Sequence, residues 1–274
     1  MLEVSRSAYY DWFTRPPCDR VLQDQVILRE LIRLHEKYPT FGLDPLYQTI
    51  KSKFPCSRGR VWRLMRQFNI HSKRKKAYKR TTNSKHNNPV APNLLQRNFA
   101  CSEPNRIWVS DITYIPTGEG WLYLAIVKDL CLKKVVGYAF STRIDTKLTL
   151  EALKMAVRRQ RPKKGLIFHS DRGVQYCSKK FRKALHRYEM QQSMSRKGDP
   201  YDNAVAENFF SCLKCECTHL SYFPTRIAAQ NEIFSYIEAF YNRVRPHSGI
   251  GWLSPIAFEN ALLLKDKIAK ILLA

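Results

Sequence analysis

The sequence predicts an α/β fold in which a mixed β-sheet is flanked by helices and preceded by a small helical N-terminal domain. Apolar residues recur at helical spacing within residues 5–68. From residue 106 the chain changes to strand-like runs joined by short turns, which then alternate with helical stretches. Hydrophobic residues make up 44% of the 274 residues, which is enough to bury a substantial core.

The charge of the chain points to a polyanionic partner. There are 47 Lys and Arg residues against 23 Asp and Glu residues, a formal net charge of +24. Residues 1–100 hold 20 basic and 7 acidic residues, so the excess is densest there. Because such a charge repels itself in a compact fold, we expect the protein to bind nucleic acid. The alternative, a basic surface that serves only solubility, fits the clustering less well.

Other bulk features indicate a cytoplasmic protein. No apolar run approaches the ~18 residues that a membrane span needs, so we expect no membrane partner. The first six residues lack the apolar stretch of a signal peptide. The eight cysteines show no disulfide-framework pattern, and we expect them to be reduced.

The N-terminal elements are predicted to be four helices. The first runs from Ser5 to Phe13 and ends before two prolines, and the second covers residues 21–38. Asp44 is predicted to be the N-cap of the third helix, with Pro45 as its first residue and Ile50 near its end. Ser57 then caps a helix over residues 58–68.

That last helix has one apolar and one basic side. Its apolar side consists of Val61, Leu64, Met65 and Phe68. Its basic side is predicted to contact DNA through Arg60, Arg63 and Arg66. Short helices of which the last is basic suit a helix-turn-helix-like unit, in which the final helix lies against DNA. An ordinary solvated helix face is the alternative.

A basic linker is predicted to follow. Residues 73–80 contain six positive charges, and the residues after them are polar as far as about residue 98. Such a segment can follow phosphates, or it can be a solvated spacer. Its predicted phosphate contacts are Lys73, Arg74, Lys75 and Lys76. The predicted domains are therefore 1–72 (helical), 73–104 (linker), 105–260 (catalytic core) and 261–274 (C-terminal helix).

The catalytic core is predicted to open with three antiparallel strands, over residues 106–115, 121–128 and 134–140, the first ending at Pro116. A helix follows over residues 148–160, then a short buried strand over 165–169, then a helix over 179–188. Two more helices are predicted over residues 225–243 and 255–272. The order β-β-β-α-β-α is the order that an RNase H-like mixed sheet requires.

Three acidic residues are candidates for catalysis. Asp111 lies within a strand-like run, and Asp171 follows the buried strand at its carboxyl end, where α/β sheets place their chemistry. Glu207 is expected on the second or third turn of a helix that begins at Asp199 and Pro200. Phosphoryl transfer on DNA is well served by two divalent cations about 3.5–4 Å apart, and carboxylates are their preferred ligands.

Lys214 follows Glu207 by seven residues, nearly two helical turns, and is therefore expected on the same helix face. A positive charge there could hold a DNA end, although a solvated lysine would fit the spacing equally well.

Five segments together resemble one protein family. The chain resembles the catalytic transposases of the insertion-sequence family numbered three and their retroviral-integrase relatives, which carry a D,D(35)E motif. The resemblance rests on WVSDITYI (108–115), HSDRGVQY (169–176), SMSRKGD (193–199), YDNAVAE (201–207) and YNRVRPHS (241–248). A weaker likeness to the family's upstream helix-turn-helix segment covers residues 20–100.

The resemblance implies that Asp111, Asp171 and Glu207 bind Mg²⁺ or Mn²⁺, with Lys214 as the accompanying basic residue. It implies 3′-end cleavage of an insertion sequence, followed by attack of the freed 3′-OH on another phosphodiester through figure-eight and circular intermediates. The implied partners are double-stranded DNA (element ends and target), an upstream-frame helix-turn-helix protein or fusion, and further copies of this chain on DNA. The implied location is the bacterial cytoplasm, at the nucleoid.

Two other functions stay open at this stage: a catalytically silent DNA-binding remnant of a mobile element, and an RNase H-fold nuclease that cuts without joining. Arg243 and Arg245 are predicted to contact phosphates, with a solvated helix end as the alternative. His169 is expected to pack at a strand end, and Asn203 either to bond near the site or to cap the helix. We interpret Asp129 and Asp145 as structural or surface acids.

The cysteines of residues 212–217 come with His219 but without a second distant pair, so a zinc site is disfavoured.

Overall fold

A computed structural model describes residues 5–73, 89–196 and 200–272 of the chain. The chain divides into two compact units, Met1–Arg74 and Lys75–Ala274. Residues 5–73 of the first unit contain four helices: α1 (Arg6–Thr14), α2 (Asp19–Lys37), α3 (Leu43–Lys51) and α4 (Arg58–Gln67).

The first unit has a small apolar core contributed by α2, α3 and α4. Ser5 and Ser57 cap α1 and α4 as the sequence predicts, each accepting a hydrogen bond from a backbone N–H three residues on. The core side chains have exposed fractions of 0–7%: Ile27, Leu31, Leu34, Leu46, Ile50, Val61, Leu64 and Met65. Phe68, predicted to join this core, is 46% exposed, because the helix ends before it and the chain turns away at Asn69.

The second unit alternates strands and helices. Its elements are β1 (Ile107–Thr117), β2 (Gly120–Asp129), β3 (Val135–Ser141), α5 (Thr146–Gln160), β4 (Ile167–Ser170), α6 (Val174–Cys177), α7 (Lys179–Arg187), β5 (Gln191–Met194), a 3₁₀ turn (Pro200–Asn203), α8 (Ala204–Leu213), a π-helical segment (Lys214–Thr218), α9 (Arg226–Ser235), a second π-helical segment (Tyr236–Tyr241), a 3₁₀ turn (Ser248–Ile250) and α10 (Pro255–Leu272).

The predicted mixed sheet is confirmed. Its five strands lie in the order β3-β2-β1-β4-β5. β1 pairs antiparallel with β2, and β2 with β3, whereas β4 runs parallel to both β1 and β5. β1 is therefore the central strand, and the parallel pair β1–β4 brings the carboxyl ends of two buried strands together.

Helices cover both faces of the sheet. One core contains Trp108 and Phe168 of the sheet, packed against Leu153 of α5 and Phe181 of α7. On the opposite face Ile115 packs with Phe209 of α8 and with residues of α9. The two faces meet different helices because successive side chains of a strand point in opposite directions.

β1 continues beyond the residue at which the sequence predicts its end. Pro116 pairs opposite Trp121 in the β1–β2 hairpin, and the strand runs on to Thr117. Proline lacks an N–H and is tolerated only where no neighbouring strand needs one. The parallel pairing with β4 stops at Ser110, so β1 is an edge on that side from there on.

Two other predictions about the elements are wrong. Asp44 does not cap α3, because Gly42 precedes the helix in extended conformation and Asp44 lies in the first turn, paired with Arg58 at 2.6 Å. β5 was not predicted, since Gln191–Met194 is short, polar and without β-branched residues.

The helices around Glu207 and residues 225–243 also differ from the prediction. Pro200–Asn203 form a 3₁₀ turn, so α8 starts at Ala204 and Glu207 lies in its first turn. α9 ends at Ser235, and the chain continues as a π-helical segment. Nowhere in the described part of the chain is there a helix long and apolar enough to cross a membrane.

Candidate active site

Asp111 and Asp171 occupy neighbouring positions on the two central parallel strands. Ser110 of β1 is paired with Ser170 of β4, and each aspartate is the next residue along its strand. Because the strands run in the same direction, Asp111 and Asp171 lie side by side, one residue beyond this pair. The strand pairing thus brings together two acids that are 60 positions apart in the sequence.

The face of β1 that carries Asp111 is the face that α8 covers. Val109, two residues earlier and on the same face, packs with Ala206 of α8. Glu207 is the next residue of that helix and lies in its first turn. The helix therefore presents an exposed third carboxylate beside the strand that holds a half-buried one.

The charges of the three acids act on each other. Burial raises the pKa of Asp111 well above its ordinary value, and the negative charges of Asp171 and then Glu207 raise it further. Its Oδ1 accepts a hydrogen bond from the backbone N–H of Ile112 at 2.7 Å, and the side chain also bonds to Asn203. Like charges this close disfavour the ionised form of Asp111 unless a positive charge joins them.

Asp171 is held by its own turn. Its Oδ1 accepts a hydrogen bond from the backbone N–H of Gly173 at 2.9 Å. Behind both aspartates lies the buried hydroxyl of Tyr176, 2.9 Å from the Ser110 hydroxyl. Burial and the charges of Asp111 and Asp171 raise the pKa of Tyr176 well above its ordinary value, so this phenol stays protonated.

Lys214 lies near enough to Asp111 for the two charges to interact. It is half-buried where α8 passes into the π-helical segment, with Nζ 5.4 Å from the centre of the Tyr114 ring. Burial lowers the pKa of Lys214, while the negative charge of Asp111 acts in the opposite direction. The predicted proximity of a basic residue to the acids is thus present, although the regular helix ends at Leu213.

The turn before α8 contains two functional residues that sequence reasoning underrated or missed. Asn203 is 7% exposed and bonds to Asp111. Among the described residues it makes no capping bond, and its buried Oδ1 has no hydrogen-bond partner. Asp202 is 1% exposed and accepts hydrogen bonds from Asn93 Nδ2 at 2.9 Å and from the backbone N–H of Arg196 at 2.8 Å. Asp202 therefore anchors the turn that positions Asn203 and Glu207.

His169 supports this anchor from the sheet. Its Nδ1 lies 2.8 Å from the Ser193 hydroxyl, and its Nε2 lies 2.9 Å from the backbone oxygen of Asp202. Burial lowers the pKa of His169, so the ring is neutral. The expectation that His169 packs at the strand end fits this placement.

The acids judged noncatalytic bond to backbone N–H groups. Asp129 is buried and accepts hydrogen bonds from the backbone N–H groups of Asn105 and Leu132, and Asp145 is the N-cap of α5. The cysteines, including Cys212, form no disulfide.

The donor set at the acidic cluster suits a hard divalent cation. Three carboxylates and the unpartnered Oδ1 of Asn203 are oxygen donors, which Mg²⁺ prefers. In the described ranges no three His, Cys, Asp or Glu side chains already form a group that could hold a metal ion. The oxygen donors thus fit such a cation in kind, but the carboxylates are not arranged as a ready-made chelate.

The residues predicted to contact DNA in the first unit have different surroundings. Arg60 and Arg63 both pair with Asp24, at 2.6 and 2.5 Å, and the Arg60 side chain is only 16% exposed. Arg66 is exposed, with its guanidinium 5.1 Å from the centre of the Trp62 ring. Arg60 thus holds α4 against α2, and its placement argues for a structural role.

The remaining predicted DNA contacts are only partly described. Lys73 is exposed, whereas Arg74, Lys75 and Lys76 lie outside the described residues.

Arg243 and Arg245 differ sharply although they are two residues apart. Arg243 is exposed, but the Arg245 side chain is 15% exposed and donates to Glu216 from Nε at 2.8 Å and from Nη2 at 2.9 Å. The Glu216 side chain is itself 3% exposed. The buried pair joins the chain after the second π-helical segment to the π-helical segment after α8. Arg245 thus has a structural contact, and its predicted phosphate contact stays a prediction.

Two family models, both described as "Integrase core domain", match residues 102–200 and 188–255. A relative from Shigella sonnei, "Insertion element IS600 uncharacterized 31 kDa protein", is 45% identical over 93% of this chain and 95% of its own length. "Transposase InsF for insertion sequence IS3A" from Escherichia coli (strain K12) is 38% identical over 95% of this chain and 92% of its own. A chain of the simian T-cell lymphotropic virus intasome in complex with PP2A regulatory subunit B56 gamma has 13% identity and a TM-score of 0.48, covering 83% of this chain and 73% of that one.

Proposed function

Since this chain belongs to the IS3-type family of insertion-sequence transposases with an integrase core domain, we propose that Asp111, Asp171 and Glu207 together bind the divalent metal with which it cuts and joins DNA. Family membership favours DNA strand transfer over a silent DNA-binding remnant or a nuclease that only cuts. The metal is Mg²⁺ or Mn²⁺, because the candidate ligands are carboxylate oxygens.

One observation carries this proposal: the parallel pairing of Ser110 with Ser170 places Asp111 beside Asp171, and the charges of Asp171 and Glu207 both act on Asp111 to raise its pKa. Three acids from separate elements therefore share one electrostatic environment. A buried acid is unfavourable unless it is paired or neutralised, and a divalent cation would neutralise all three. Since Glu207 is exposed in the first turn of α8, its side chain would have to turn toward the aspartates when the cation binds.

The residues of this chain have distinct tasks in the proposed reaction. When bound, divalent metal ions activate the attacking oxygen and stabilise the leaving oxygen of an in-line displacement. The backbone N–H groups of Ile112 and Gly173 orient the carboxylates of Asp111 and Asp171. Lys214 would hold a phosphate of the DNA end beside them, because its ammonium group is near enough to Asp111 for that carboxylate's charge to act on its pKa.

The partners follow from this reaction. The substrates are duplex DNA at the element's ends and at the target, and holding two ends at once favours several copies of the chain on DNA. A helix-turn-helix protein from an upstream frame, and a location at the bacterial nucleoid, remain predictions of the same kind.

A joining assay tests the proposal. A labelled duplex carrying the element's end is incubated with the protein in Mg²⁺, and cut and joined products are separated by size. We expect Asp171→Asn to lower both products at least 100-fold. Asp145→Asn is the matched control, because asparagine caps a helix as well as aspartate does and the Asp145 side chain bonds to the backbone of α5.

Each other outcome contradicts the proposal in its own way. Cutting without joining would make the chain a nuclease. Metal-independent DNA binding with neither product would make it a remnant. Equal activity of Asp171→Asn and the wild type would remove Asp171 from the catalytic group.

A further inference from the structure

The exposed side of α7 is the most strongly basic helix face in the described part of the second unit. We call it the α7 basic face and define it by Lys179, Lys180, Lys183 and Arg187, all exposed. The opposite side of the helix packs into the core through Phe181 and Leu185, which are 0% and 2% exposed. The core contacts fix the helix, so the four cations are held on a rigid support.

These cations have no acidic partner within the described residues. None of the four forms an ion pair or a side-chain hydrogen bond there. By contrast, Lys154 on the neighbouring α5 pairs with Glu151 at 2.9 Å, and Lys164 pairs with Glu189. Positive charges concentrated without compensation favour an anionic partner.

A groove runs between α7 and α5. It encloses about 270 Å³ and is lined from α7 by Lys180, Lys183 and Arg187 and from α5 by residues that include Leu150 and Lys154. The groove has cations along one wall and an apolar floor. That shape suits a narrow anionic chain such as a phosphate backbone, whose negative charges follow one another in a row and can each meet a cation of the wall.

The face begins at the end of the sheet that carries the acids, although α7 packs on the face of the sheet opposite α8. β4 ends at Ser170, Asp171 follows, and α7 starts eight residues after that aspartate. Since α7 connects the parallel strands β4 and β5, it must run back antiparallel to them. Its first residues therefore lie toward the strand ends that carry the acids, and its last lie about 12 Å further away.

We propose that the α7 basic face holds the phosphate backbone of the target duplex while a DNA end is joined to it. The inference rests on the proposed function, because strand transfer is what requires a target.

The target is favoured over the element's end by the chemistry of the face. Three of the four cations are lysines, which act on phosphates as point charges, and α7 carries no Asn or Gln that could pair with adenine. Contacts of this kind ignore sequence, as capture of an arbitrary target demands.

A binding experiment with the full chain tests the face without any chemistry. A random-sequence duplex is titrated in chelator over a range of salt concentrations. The test variant replaces the three groove cations: K180Q, K183Q and R187Q. The control variant replaces as many exposed cations elsewhere in the unit: K163Q, K265Q and K267Q.

The two variants are expected to differ clearly. Losing three phosphate contacts lowers the slope of log affinity against log salt by about 2.7 and weakens binding in 0.1 M salt on the order of 100-fold. The control should keep the wild-type slope to within about 0.5. All six side chains are exposed, so folding should be unaffected. Equal slopes for the test and control variants would overturn the proposal.

A joining assay identifies which duplex the face holds. In the K180Q/K183Q/R187Q variant, the target concentration for half-maximal joining should rise at least 10-fold, while 3′-end cutting stays within 2-fold of wild type. Cutting that falls as much as joining would place the element's end on the face and overturn the assignment. If even the wild type neither cuts nor joins, the proposed function fails, and the binding experiment still decides whether the face holds DNA.

Discussion

We expect Arg245→Met to destabilise the fold by about 3 kcal/mol and to leave the salt dependence of DNA binding unchanged. Two nitrogens of Arg245 donate to Glu216 at 2.8 and 2.9 Å, and the two side chains are 15% and 3% exposed. Removing one member of such a pair leaves the other charge buried and costs about 3–5 kcal/mol. The Tyr236 hydroxyl still donates to Glu216 at 2.9 Å, which places the cost at the low end.

Urea unfolding measures this cost directly. For a unit of about 200 residues, 3 kcal/mol corresponds to a fall in Tm of about 6–12 °C. Arg243→Met is the matched control: it removes an exposed guanidinium two residues away and should change stability by no more than about 0.5 kcal/mol. Adding Glu216→Gln to Arg245→Met should recover part of the loss, because the uncompensated buried charge is then gone.

The opposite result would show that Arg245 contacts DNA, as the sequence alone predicts. In that case Arg245→Met would unfold at the same urea concentration as Arg243→Met. It would also lower the slope of log affinity against log salt by about 0.9, the value for one phosphate contact. Both findings together would refute a structural role for the pair.

Three further changes have defined outcomes. Gly173→Ala places a Cβ 3.0 Å from Asp171 Oδ1 and should lower joining about 10-fold at nearly constant stability; unchanged joining would contradict this. Gly137→Ala should lower the free energy of unfolding in urea by about 2 kcal/mol, because the new Cβ would meet a carbonyl oxygen of α5 at 2.3 Å. Gly249→Ala should leave it unchanged, since the nearest atom there is 3.7 Å away. Equal urea midpoints for the two variants would refute the packing argument. The ion pair with Arg196 lowers the pKa of the Asp202 carboxyl to about 2, below its unfolded value, so the stability that this pair contributes is complete above about pH 4 and disappears toward pH 2. Asp202→Asn should flatten the profile of folding stability between these two pH values, and an unchanged profile would count against the role of Asp202 as an anchor.

The alternation of elements was predictable because it depends on local patterns. The strands around Asp111 and Asp171 are apolar, and each acid interrupts or ends such a run. The pairing of β1 with β4 then brings the two acids together, as the family resemblance implied. The predicted RNase H-like order lacked the four-residue helix α6 and also β5, whose polar residues give no strand signal.

Contacts between distant polar residues were not predictable in this way. The pair of Glu216 and Arg245 spans 29 residues, and nothing in either local segment distinguishes it from a solvated charge. The roles of Asp202 and Asn203 depend on the turn before α8, which sequence reasoning read as the start of a helix. The burial of Lys128 was not predictable either: this strand residue is 3% exposed, and burial lowers its pKa to about 7.

Direct titration with Mn²⁺, followed by electron paramagnetic resonance, tests most directly whether the three acids share one metal. The wild type should bind the ion, and Asp111→Asn, Asp171→Asn and Glu207→Gln should each weaken binding at least 10-fold, while Asp145→Asn binds as the wild type does. Wild-type affinity in all three variants would contradict a common metal site formed by these carboxylates.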